Sequence, residues 1–353
     1  MMTTTNYKLN QSIDFVKEKE ETSIAPWWVT GITDAGGKFS IILESKKCFC
    51  VFKITQKELS RDVLYDIKNY FKCGEIVLDD QQFDKKDKTY KFIVTKIEDL
   101  CNIILPHFDK YPLITSKNLD FLDFRKVVLM CKDGLDLFNI HRRKIFFIIN
   151  NMNSKRSFDQ RWQFHDGLEI QRLNNEWVQA FIDIRGLFYF GVFKDKYGPH
   201  KNEFSCILIP SLIIRLKNNE IKLLCYLEKF LGLSYLNIDR YDIKTIKSYR
   251  TLKCIFPDYL EIIKFVDKNM MSTYNMTDYE DWKELMELAK KKTYNTSKGL
   301  LKMWIIKNSM YSDKIKISKN QINKMPFYFN NKEVLTTLSL DYSSIISVLN
   351  VLI

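Results

Sequence analysis

Trp28-Val-Thr-Gly-Ile-Thr-Asp-Ala-Gly-Gly-Lys-Phe39 and Trp177-Val-Gln-Ala-Phe-Ile-Asp-Ile-Arg-Gly-Leu-Phe188 are one pattern written twice. Trp, Val, Asp, Gly and Phe recur at a constant offset of 149 residues, from 28 to 177. A second anchor lies downstream. Asp109, Lys110, Asp120 and Asp123 reappear as Asp267, Lys268, Asp278 and Asp281 at an offset of 158, from 109 to 267, with Phe121/Tyr279 and Phe124/Trp282 in the same register. Two anchors in the same order establish an internal duplication, with the second copy nine residues longer between them.

Each copy reads as one αββαββα unit. A short apolar helix ends at Gly37 or Gly186, where a helix-stopping glycine is expected. Strands are expected near 38–45, 49–56, 75–79 and 89–95 in the first copy. The second copy expects them near 187–194, 204–216, 235–240 and 248–255. Helices fall near 60–72, 97–107 and 116–131, then 219–231, 258–267 and 277–292. The fold class is therefore α+β, with tandem pseudo-symmetric units. The organisation expected is an N-terminal extension (1–25), a first domain (26–131), a basic linker (132–172), a second domain (173–294) and a C-terminal extension (295–353).

Composition narrows the class. The 353 residues are 46% hydrophobic and 28% charged, which excludes a disordered or collagen-like chain. No run of 18 apolar residues exists, so no membrane span is expected. The formal charge of +12 suits a polyanionic partner. Lys outnumbers Arg 44 to 11 and there are only 4 Ala, the signature of an AT-rich genome. An organelle heads the possibilities, a mitochondrion in particular, and the N-terminus lacks the Arg-rich amphipathic pattern of a transit peptide. The eight cysteines form no C-x-x-C and the four histidines are scattered. They read as core thiols and isolated rings, so no metal and no cofactor are expected.

The repeated W-x-x-G/A-x-x-D-x-x-G-x-F resembles the LAGLIDADG motif of homing endonucleases and maturases. The stretch from Asp109 to Phe124 resembles that family's third-helix region. The resemblance covers about residues 26–293 and implies the single-chain, pseudo-dimeric form. It implies two motif helices packed at the domain interface and two saddle-shaped four-stranded antiparallel sheets straddling a nucleic-acid duplex. Gly31 and Ala180 then sit where helix backbones approach, and Asp34 and Asp183 at the helix ends. The family places a carboxylate two residues after the motif's first Asp, one per helix, to hold Mg²⁺ at the scissile phosphates. Here those positions are Gly36 and Arg185. Asp34 and Asp183 lie about 200° around the helix from them.

On that ground the sequence leads to a non-enzyme. It expects a catalytically inactive scaffold that binds structured RNA rather than DNA, as a group I intron maturase or a ribosomal-RNA-associated protein. The alternative is an active DNA endonuclease with unusual metal ligands. The expected nucleic-acid face on the first sheet is Lys38, Ser40, Lys53, Thr55 and Lys57, chosen by strand parity. On the second sheet it is Tyr189, Phe193, Ser211, Arg215 and Lys217. Arg142 and Arg143 of the linker join them, and other proteins could dock on the C-terminal extension. Arg185 is expected either to touch a phosphate or to pair with Asp34 or Asp183.

Overall fold

A computed structural model describes residues 24–45, 47–79, 88–164, 173–194, 206–217, 220–233, 249–253 and 259–310. In the first unit, helix α1 (Pro26–Gly36) leads into strands β1 (Gly37–Leu43) and β2 (Cys48–Lys57). Helix α2 (Asp62–Phe71), strands β3 (Glu75–Leu78) and β4 (Thr89–Val94), helix α3 (97–110) and helix α4 (Lys117–Lys132) complete it. The sheet is antiparallel in the order β1-β2-β4-β3. Two further helices follow, α5 (Asn139–Asn151) and α6 (Phe158–Phe164).

The second unit repeats the plan. Helix α7 (Asn175–Arg185) precedes strands β5 (Gly186–Lys194) and β6 (Cys206–Lys217), helix α8 (Ile221–Phe230) and strand β7 (Tyr249–Lys253). Helices α9 (Tyr259–Lys268) and α10 (Asn275–Lys290) close it, and α11 (Ser297–Ser309) packs afterwards. The described strands pair antiparallel in the order β5-β6-β7. The fourth strand expected near 235–240 lies outside the described residues. No helix among the described residues is long and apolar enough to cross a membrane.

Each sheet buries one face under its helices. In the first unit Phe39, Phe52 and Phe92 stand on that face and pack on Phe71, Phe108, Phe121 and Phe124. In the second unit Phe188 takes the place of Phe39 and meets Tyr279 and Trp282. The two cores interlock at the motif helices. Ala35 of α1 belongs to the second core and Ala180 of α7 to the first.

The stretch read as a basic linker differs from the expectation up to residue 164. There α5 buries Ile145, and Met152 follows it into the first core. Arg156 and Arg161 do not face solvent either. Arg156 donates from Nε to Asp120 at 2.8 Å, and Arg161 from Nη2 to the same carboxylate at 3.3 Å. Both arginine side chains are mostly buried, so these pairs fasten the segment to α4.

Candidate nucleic-acid interface

The seam between the units is built by α1 and α7 lying side by side. A Cβ on Gly31 would stand 2.6 Å from the Trp177 carbonyl oxygen and 2.8 Å from the Ala180 Cβ. Small residues at these two positions therefore set the helix separation. Gly37 and Gly186 were expected to turn the chain sharply. Their φ values, −77° and −71°, suit any residue. The reason is crowding instead: a Cβ would meet the Thr33 carbonyl oxygen at 2.8 Å and the Ile182 carbonyl oxygen at 2.5 Å.

Asp34 and Asp183 organise this seam. Asp34 accepts from the Ile114 N–H at 2.8 Å, the Thr115 N–H at 3.3 Å and the Thr115 hydroxyl at 2.6 Å. It also accepts from Trp177 Nε1 at 2.9 Å, a bond across the seam. Asp183 repeats the local part, accepting from the Ser272 N–H at 2.7 Å, the Thr273 N–H at 3.1 Å and the Thr273 hydroxyl. Burial pushes both carboxyls up, Asp183 to about 6, against the donors that favour the ionised form.

The carbonyls that end each motif helix are capped from the fourth helix of the same unit, α4 or α10. Lys117 Nζ donates to the oxygens of Thr33, Asp34 and Gly37 at 2.6, 2.9 and 2.6 Å. A cation at a helix C-terminus also meets the favourable end of the macrodipole. Burial lowers this ammonium to about 8, with the Asp34 charge opposing. At the matching place Asn275 Nδ2 donates to the oxygens of Asp183 and Gly186. A second reciprocal pair crosses the seam. The Ser116 N–H and hydroxyl donate to Glu220, and the Tyr274 N–H donates to the Ser60 hydroxyl at 3.1 Å. Sequence reading missed Lys117, Asn275, Glu220 and Ser60. The offset of 158 pairs Lys117 with Asn275, but the residue types differ, and identity matching passes over them.

Beside the end of α7 lies a cleft of about 510 Å³ lined by Gln56, Lys57, Ser60, Arg185, Asn275 and Asp278. Arg185 is exposed at its mouth. Gly36 offers no ligand atom, Arg185 is a permanent cation, and the Asp34 and Asp183 oxygens are taken by N–H and O–H donors. The ends of α1 and α7 therefore do not fit a divalent cation held by one acid from each motif.

On the first sheet, the residues expected to meet nucleic acid share one side of the strands. Lys38 pairs with Lys53 across β1 and β2, and Thr55 pairs with Lys91 across β2 and β4. Lys38 and Lys57 are exposed, while Ser40, Lys53 and Thr55 are half-buried. Lys91, which the reading omitted, adds a cation to this face and reaches Asp79 at 3.3 Å. The second sheet needs a correction. Tyr189 is half-buried on the expected face, but its partner Ser211 is only 3% exposed. Ser211 is short and sits on β6, the strand between β5 and β7. Phe193, Arg215 and Lys217 hold the same parity on β5 and β6, and their side chains lie outside the described residues. Arg142 is spent on structure, donating to the carbonyl oxygens of Glu44 and Asp136. Arg143 is exposed on α5.

Comparison with known proteins agrees with this geometry. A family model described as LAGLIDADG endonuclease matches residues 29–128 and 180–286, which covers both copies and more than half of the chain. A Neurospora crassa protein named "Probable intron-encoded endonuclease 2" is 27% identical over 312 residues, spanning 81% of this chain and 65% of that protein. The "Uncharacterized mitochondrial protein RF1" of Saccharomyces cerevisiae is 23% identical over 326 residues, 86% of this chain and 60% of that one. The chain thus spans less than two thirds of the length of these curated relatives. Among solved structures, the I-SmaMI LAGLIDADG homing endonuclease bound to cleaved DNA superposes with a TM-score of 0.69. That match is 23% identical and covers 82% of this chain and 98% of that one, a likeness of fold. The expectation of a non-enzyme is overturned here: a relative is named an endonuclease, and a protein of the same fold is seen on cleaved DNA. The expectation rested on the missing acids at positions 36 and 185 and weighed only Asp34 and Asp183 as stand-ins, leaving aside the buried Glu220 and Asp278.

Proposed function

The chain belongs to the LAGLIDADG endonuclease family, and from that premise we propose that it is a homing endonuclease that seats a DNA duplex against its two sheets and cuts it. One observation carries this reading. The close packing at Gly31 and Ala180 joins two duplicated units, each sending its motif helix directly into a sheet. That is the architecture shared with the protein solved on cleaved DNA. The exposed face of the first sheet supplies Lys38, Lys53 and Lys57 for phosphate contacts, which position a duplex without reading its bases. Cleavage falls to acids outside positions 36 and 185, which hold Gly and Arg. Asp278, in the cleft with Arg185, and Glu220, bonded to Ser116, are the buried carboxylates of the seam to test. A mitochondrial location fits the AT-rich residue usage and the name of the yeast relative.

A second reading, RNA binding as in an intron maturase, is favoured by α5. There Phe146 and Phe147 are 62% and 68% exposed beside Arg143, a pairing of ring and cation that suits unpaired bases.

The test uses purified full-length protein, a plasmid library of intron-insertion sequences, and matching structured RNAs. Site-specific double-strand cuts that Asp278→Asn or Glu220→Gln abolishes support the endonuclease. Absence of any cut, with RNA held more tightly than every duplex, refutes it.

A further inference from the structure

Cys48 and Cys50 stand two apart on β2, so both side chains leave the same face of the strand. Cys131, near the end of α4, comes to meet them. The three sulfurs lie within 4.8 Å of one another. No C-x-x-C announces this arrangement, because the third thiol arrives from 81 residues away. The cluster closes the end of the first sheet. Cys48 pairs with Leu43 at the β1–β2 hairpin, and its N–H donates to Asp136 Oδ2 at 3.1 Å.

We infer that Cys48, Cys50 and Cys131 form a binding site for a thiophilic divalent cation, Zn²⁺ being the natural occupant. Zinc–thiolate bonds are about 2.3 Å, so sulfurs sharing one tetrahedral ion stand about 3.8 Å apart. The cluster reaches that spacing with side-chain adjustments of under about 1 Å. Three soft sulfurs select zinc over magnesium or calcium. Each thiol gives up its proton as its bond to the metal forms, so three thiolates around one divalent ion leave a single negative charge. Lys47 and Arg142 favour that negative charge electrostatically, while Asp136 beside Cys48 opposes it. Cys48 and Cys50 are buried and Cys131 is half-buried, so an ion enters from the α4 side. Occupancy would tie the β1–β2 hairpin to the end of α4.

The experiment measures metal in the full-length protein. After equilibration with Zn²⁺ and removal of excess, elemental analysis should find one zinc per chain. Cys131→Ser should lose it, whereas Cys225→Ser, a half-buried thiol on α8 outside the cluster, should keep it. Titration of the unaltered chain with Co²⁺ gives a readout independent of any variant's folding. A sulfur-to-cobalt charge-transfer band should saturate at one equivalent and vanish on adding Zn²⁺. Zn²⁺ should also raise the unfolding temperature of the unaltered chain and not that of Cys131→Ser. No charge-transfer band, or zinc retained in full by Cys131→Ser, would overturn the assignment.

Discussion

Replacing Gly31 by Ala isolates the contact that joins the two units. The added methyl would stand 2.6 Å from the Trp177 carbonyl oxygen, 2.8 Å from the Ala180 Cβ and 3.1 Å from the Trp177 Cα. All three are backbone atoms or a first side-chain carbon, so none can swing aside. Ordinary contact at about 3.4 Å requires α1 and α7 to part by about 0.8 Å. The same parting lengthens the bond from Trp177 Nε1 to Asp34, now 2.9 Å, to beyond about 3.5 Å, where it no longer counts as one. Overpacking costs about 1–3 kcal/mol, and the lost hydrogen bond about 1 kcal/mol more. Against this, Ala is about 1 kcal/mol better than Gly inside a helix. The expected net is a loss of about 2 kcal/mol, or a fall of roughly 3 °C in unfolding temperature for a chain of this length. Gly36→Ala on the same helix is the internal control. Its Cβ would sit 3.6 Å from the Ile184 Cγ2, an ordinary contact, so that change should be neutral or slightly stabilising. Urea and thermal melts followed by far-UV circular dichroism and tryptophan fluorescence measure both. A Gly31→Ala chain as stable as the original would refute the close-packed seam.

The remaining predictions concern the charges around this seam and the DNA face. Asp34→Ala strands the N–H groups of Ile114, Thr115 and Trp177 and should destabilise by about 3 kcal/mol in urea melts, since each unpaired buried donor costs about 1–3 kcal/mol. Burial lowers His107 to about 4 from 6.5, so acidification through that window protonates the unfolded chain first and removes stability. Burial raises Asp183 to about 6 from 3.8, so acidification through its window protonates the folded chain first and adds stability. The two oppose each other between pH 4 and 6: His107→Gln should make the change on acidification more favourable than in the unaltered chain, and Asp183→Asn less favourable, with Asp34 acting in the same direction as Asp183 in every variant, as unfolding free energies against pH would record. Changing Lys38, Lys53 and Lys57 to Ala together should flatten the log–log salt dependence of duplex binding by about 0.9 for each phosphate contact removed; an unchanged slope would place the DNA elsewhere.

Much of the fold was legible because its determinants are local and repeated. Trp28/Trp177, Asp34/Asp183 and Phe39/Phe188 fix two motif helices and the strands that leave them, and parity alone assigns Phe39, Ile41, Phe52 and Ile54 to the core. The seam was less legible because its contacts are long-range and chemically unequal. Lys117 and Asn275 cap equivalent helix ends with different groups, and Glu220 and Ser60 receive equivalent N–H donors. Charge misled the reading at 132–164. His141-Arg142-Arg143-Lys144 looks like a solvated run, yet Ile145 anchors that helix, and Arg156 and Arg161 find Asp120 only once the chain has folded. Strand parity placed Ser211 on the correct face, but it carries no information on how far a central strand is covered by its neighbours.

The inequality of the two units bears on what the proposed endonuclease reads. Two identical units related by a two-fold axis present the same side chains to each half-site and so favour a palindrome. Here the joining contacts are shared in kind: an Asp held by two backbone N–H groups and a Thr hydroxyl, a donor from α4 or α10 on each helix end, and a reciprocal N–H bond across the seam. The groups that would meet nucleic acid are shared only in part. Lys57 is matched by Lys217, but Lys38 and Lys53 are matched by Leu187 and Ile213, and Thr55 by Arg215. Gly36 at one helix end faces Arg185 at the other. Packing constrains the buried contacts to stay alike, because any change there must be answered across the seam. The exposed positions answer only to the ligand. A scaffold alike in its joints and unlike on its faces recognises two different half-sites, and the target expected for this chain is a non-palindromic duplex.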